Sequence, residues 1–100
     1  VPLVAPRGPA GSGPRRRVLL PFTESAFESL RGEELAWWQA QGDRRDLMIF
    51  EAVNFMDGRR TTAEIAEALA CEFETEVDAA WVERVVALFG RLQLIEARAP

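Results

Sequence analysis

The sequence predicts a mainly α domain of three to five helices with a small two-stranded antiparallel β-sheet. Apolar residues recur at helical spacing through most of the chain beyond residue 23. The stretch NFMDGRRTTAEIAEAL, Asn54 to Leu69, reads as a helix end, a tight turn and a capped helix start. Two short stretches, one towards each end, have the residue pattern of strands. With 100 residues, 48% of them apolar, the chain can build one modest core and has no room for a second domain.

Residues 1–14, VPLVAPRGPAGSGP, hold four Pro and three Gly and read as a linker, because such a composition cannot bury enough surface to offset the entropy of ordering. Residues 15–100 then form the domain. Its first strand is expected within RRRVLLPF, Arg15 to Phe22, at a sheet edge where Pro21 need not donate to a ladder. The three arginines read as a solvated lead-in that meets acids on the domain's own surface, or as a hold on phosphate or an acidic partner. TESAFESLRGEELAWWQAQG, Thr23 to Gly42, is one interrupted helix or two short ones, with Gly32 the break and Gly42 the stop. Trp37 and Trp38 are adjacent and so point about 100° apart on a helix. Either one of them serves an interface, or both lie on a wide buried stripe.

DRRDLMIFEAVNFMDG is the expected central helix, with Asp43 as N-cap, Asp46 in the first turn and Gly58 in the left-handed position beyond its end. Its apolar residues surround most of the cylinder, so it is buried on several sides. Asn54 is the polar exception, read as hydrogen-bonding a nearby turn or loop carbonyl, or contacting a ligand. Thr61 and Glu64 form a T-x-x-E capping box that opens the next helix. Ile65, Ala68, Leu69 and Phe73 give that helix one apolar stripe. ETEVD separates it from a last helix capped by Asp78, filled by Trp81, Val82, Val85, Leu88 and Phe89, and ended by Gly90. The closing RLQLIEARA is the second strand, expected to pair with Val18 to Leu20. A buried helix, a short link, two further helices and a strand follow the order of a winged-helix-like domain.

The charge balance narrows the function. Twelve Arg oppose 16 acids, and Arg7, Arg15, Arg16 and Arg17 precede every acid, which leaves 8 bases against 16 acids from Val18 onward. Such a body repels phosphate backbones and makes nucleic acid an unlikely partner. Histidine is absent, which removes the commonest metal ligand and general base, so neither a catalytic nor a metal site is expected in these residues. Cys71 is the single cysteine and reads as a small packed hydrophobe. No apolar run approaches the ~20 residues that cross a bilayer, so no membrane contact is expected.

The segment FMDGRRTTAEIAEALACEFETEVDAAWVERVVALFGRLQLIE, Phe55 to Glu96, resembles two families. It is similar to the small peptide-chaperone domains of the pyrroloquinoline-quinone pathway and related precursor-recognition elements, where an apolar residue, DG, RT, EIA and a helical region followed by L and I recur. It also resembles the C-terminal region of bacterial zinc aminopeptidases, the transferrin-receptor-like exopeptidases, in which EAVNFMDGRRT followed by EIAEAL has close counterparts and a winged-helix-like tail follows the catalytic domain. That second resemblance covers Asp46 to Glu96 and includes NF before DG, which the first lacks. It implies that zinc and its His, Asp and Glu ligands lie upstream of Val1, that no catalytic residue falls within these positions, and that the chain is a piece of a longer polypeptide.

The expectation is therefore a non-catalytic accessory or oligomerisation domain that needs no cofactor of its own. Trp37, Trp38, Arg59 and Arg60 are the expected partner-binding residues, and Asn54, Gly58, Thr61 and Glu64 the structural ones. The partner is the upstream domain or a second copy. A peptide added to the open sheet edge is the first alternative. DNA is the second, through Arg59, Arg60, Arg84 and Arg91, but seven acids between Thr61 and Gly90 oppose it.

Overall fold

The structure, a computed structural model, describes residues 13–16, 27–42 and 47–96. In chain order these form β1 (Arg15–Arg16), α1 (Gly32–Ala40), α2 (Met48–Asn54), α3 (Thr62–Phe73), α4 (Ala79–Arg91) and β2 (Ile95–Glu96). The domain is thus mainly α, with four helices and a two-stranded sheet among the described residues.

Helix α3 begins where the capping box requires. The Thr61 hydroxyl accepts from the Glu64 N–H at 3.2 Å, and the Glu64 carboxylate accepts from the Thr61 N–H at 3.0 Å. Asp78 caps α4 by accepting from the Ala80 N–H at 2.9 Å. These starts aim the two apolar stripes at each other. Ile65, Ala66, Ala68 and Leu69 of α3 meet Val82, Val85, Leu88 and Phe89 of α4, while Ile49, Ala52 and Val53 of α2 close the other side of α3. Small residues at Ala52, Ala66 and Ala68 let the helices approach closely, and Leu30, Phe55, Met56 and Ile95 complete the core.

Several boundaries differ from the sequence expectation. Asp43 and Asp46 lie outside the described residues, and α2 has Leu47 at its N-cap position. Gly58 has the expected left-handed conformation, φ 82°, but it does not close α2, which ends at Asn54 with Phe55 still right-handed. Asp57 has already left the helix to bridge with Arg15, and Gly58 turns the corner that follows. Helix α4 passes through Gly90 to Arg91, and the left-handed residue is Gln93, φ 62°. There the Leu94 N–H reaches the Phe89 carbonyl at 2.9 Å and the Gln93 N–H the Gly90 carbonyl at 3.0 Å, a Schellman arrangement built without glycine.

The sheet pairs Arg15 with Glu96 and Arg16 with Ile95, antiparallel. This is earlier in the chain than the expected Val18 to Leu20, which lie outside the described residues. On its other side Arg15 bridges Asp57, so β1 lies between β2 and the link that follows α2. Gly13 and Pro14, read from sequence as the end of a linker, are buried instead. The Gly13 N–H donates to the Gly58 carbonyl at 3.3 Å, and the Gly58 N–H donates to the Pro14 carbonyl at 2.8 Å. The Arg15 guanidinium meets Glu96 at 2.8 Å, an acid on the domain's own surface.

Candidate functional site

Helix α1 carries two tryptophans and Leu35, yet none of its nine residues is fully buried. Glu33 and Glu34 in its first turn suit the helix dipole, and Gly42 follows its end with φ 55°. The adjacent tryptophans diverge as helical geometry demands. Trp38 turns inward and stacks on Phe27, with centroids 4.4 Å apart and planes 14° apart, while Phe89 of α4 lies tilted 6.1 Å away. Trp37 turns towards α4 at the surface, where the Arg84 guanidinium stands 5.4 Å over its ring.

Two polar fastenings hold α1 in this pose. The Gln41 side chain donates to the Trp37 carbonyl at 2.6 Å and accepts from the Trp81 indole N–H at 2.7 Å. Glu34 accepts from the Arg91 guanidinium at 2.6 Å. Between them Glu34, Trp37, Arg84, Ala87 and Leu88 line an open hollow of about 100 Å³. That is too small and shallow to enclose a substrate, since small-molecule sites run to roughly 300–1,000 Å³. A tryptophan beside an exposed arginine is instead the pairing that dominates protein interfaces, where a flat apolar face and a forked donor act together.

The expected partner-binding residues do not form one site. Trp38 belongs to the aromatic packing with Phe27 and Phe89, while Trp37 lies beneath Arg84, and both rings are partly buried. Arg59 is exposed in the link between α2 and α3, but Arg60 is buried there. The Arg60 guanidinium pairs with Asp57 at 2.7 Å and lies 5.3 Å over the Phe55 ring. Arg60 is therefore a structural residue, drawn inward because carboxylate and ring together compensate its desolvation. Asn54 is exposed, and it donates to the Glu51 carboxylate at 3.2 Å, a side-chain acceptor one helical turn back. Cys71 is exposed on α3, not packed, because it falls outside the stripe formed by Ile65, Ala68 and Leu69.

Gln41, Glu34 and Arg84 were not singled out as part of the tryptophan face by sequence reading. Gln41 stands four residues beyond Trp37, the spacing of neighbours on a helix face, and that was the available signal. The pairing of Trp37 with Arg84 had none, because it joins two helices. Among the described residues no group of three His, Cys, Asp or Glu is placed to hold a metal ion, and no helix is long and apolar enough to cross a membrane. No family model matches the chain, and neither the curated proteins nor the solved structures contain a significant match to it.

Proposed function

We propose that this domain is a non-catalytic accessory module that docks onto a protein partner through the α1–α4 face centred on Trp37 and Arg84. The observation that carries the proposal is the incomplete burial of α1: a helix with two tryptophans and a leucine leaves Trp37 only partly buried, beneath an exposed arginine. Aromatic and arginine side chains in that pose supply contact area at low entropic cost. The resemblance of Asp46 to Glu96 to the tail of zinc aminopeptidases favours as partner the catalytic part of such an enzyme, upstream with the zinc and its ligands, over a second copy of the domain. Exposed Glu67, Glu72 and Glu74 on α3 and at its end support a protein rather than a nucleic acid on the other side.

The test uses the domain within its natural polypeptide. Trp37→Ala should loosen docking, seen as faster proteolysis between the domain and its neighbour, with helical circular dichroism unchanged because Trp38, not Trp37, stacks in the aromatic cluster. Unchanged proteolysis in that variant overturns the proposal. Retention of duplex DNA by the chain at low salt would favour the DNA reading instead.

A further inference from the structure

Residues Gly13 to Arg16 lie in a slot whose walls come from distant parts of the chain. One wall is Asp57 and Gly58, and the other is Ile95 and Glu96. Arg15 is bridged on both sides, so an empty slot would expose two unpaired backbone edges at once, and only an extended segment satisfies both. The slot is also selective. A Cβ at position 13 would run into the Arg60 carbonyl, so glycine is required there. The Pro14 carbonyl accepts from Gly58, an acceptor role that proline retains, and Glu96 takes the charge of Arg15. Gly13 and Pro14 are buried but stand outside the cluster of large apolar side chains, and Arg15 is exposed.

A site that reads Gly-Pro-Arg in extended form, from a segment outside the cluster of buried hydrophobics, is a peptide receptor filled by its own chain. We infer that the slot also accepts Gly13 to Arg16 of a second copy, so that two chains associate by reciprocal strand exchange. The backbone pairing and the Arg15–Glu96 contact described above are kept in such a pair, and for them the free-energy difference reduces to chain connectivity and concentration. This site lies apart from the Trp37 face and does not depend on the docking proposed there.

Cross-linking in the full chain tests it, with Cys71→Ser throughout to remove the exposed native thiol. Facing residues of an antiparallel pair lie within the Cα separation that a disulfide spans. Arg15→Cys and Glu96→Cys in one chain should close on themselves under mild oxidation, which verifies the register. Arg15→Cys and Glu96→Cys in separate chains, mixed at about 1 mM, the effective concentration of a short tether, should give a covalent heterodimer joined through those two positions. Adding Gly13→Val to the Arg15→Cys chain should reduce that heterodimer at least tenfold. A mixture that stays monomeric while the double variant closes overturns the inference. An equal yield with Gly13→Val does so too, because the link would then report random collision.

Discussion

The Asp57 carboxylate holds the Arg60 guanidinium at 2.7 Å with one oxygen, while its other oxygen accepts the backbone N–H groups of Arg59 and Arg60, both at 2.9 Å. One side chain thus shapes the turn after Gly58 and neutralises a buried cation. Asp57→Ala should cost about 1–3 kcal/mol in urea unfolding, because it leaves Arg60 buried without its carboxylate. The lower part of that range is expected, since Asp57 keeps access to water, which screens the pair.

The same carboxylate predicts an acid limb of stability. Burial alone pushes the Asp57 carboxyl up, but the Arg60 and Arg59 N–H groups and the Arg60 charge outweigh it and leave the pKa below its usual 3.8. A carboxyl depressed by folding contributes stability that is complete above its unfolded value and is lost as pH falls through the folded one. Stability should decline below about pH 4, and the decline should be shallower in Asp57→Ala, as measured by thermal unfolding across pH 2–7.

Glu72 predicts the opposite sign. Glu72 is exposed, but slight desolvation by its neighbours, then the nearby Glu51 charge and a hydrogen bond with Glu51, raise its pKa above 4.5. A carboxyl raised by folding favours the native state at low pH and loses that contribution as pH rises through the folded value. Glu72→Gln should therefore raise the melting temperature slightly at pH 7, because solvent screens the exposed pair, and leave it unchanged at pH 3.

Phe89 is fully buried and lies tilted against the stacked pair of Phe27 and Trp38, with centroids 5.7 and 6.1 Å away. Phe89→Ala should destabilise the domain by about 3–5 kcal/mol. It should also shift Trp38 fluorescence to the red as water reaches that ring, and an unshifted spectrum would show that α1 is held by its polar fastenings alone.

The exposed Cys71 should react with a thiol reagent in the folded chain at nearly the rate of the urea-unfolded chain. Strong protection would place the thiol in the core and contradict the structure.

Local signals were legible where one short stretch contains all the interacting groups. Thr61 and Glu64 satisfy each other's backbone donors within one turn, so the start of α3 followed from spacing alone. Asp78 did the same for α4, and the stripes on both helices located the core. Helix ends were less legible. Gly90 looked like a stop, yet the Phe89 and Gly90 carbonyls are satisfied by Leu94 and Gln93, so α4 continues past the glycine. Glu74 ends α3 with φ 52°, a left-handed cap that its residue type does not announce.

By itself, the sequence determined the mainly α class, the starts of α3 and α4, the apolar stripes that meet in the core, and a left-handed Gly58, because those features follow from hydrogen bonds and periodicity within a few residues. Tertiary structure alone decided that Trp38 stacks on Phe27 while Trp37 meets Arg84, that Arg60 is buried while Arg59 is not, and that Gly13 and Pro14 join the fold. The first and last of those outcomes depend on partners far along the chain, Phe89 and Arg84 for the tryptophans and Glu96 for the segment that enters the slot. Arg60 shows the same dependence at short range, since its neighbours Asp57 and Phe55 were visible in the sequence but the packing that turned it towards them was not.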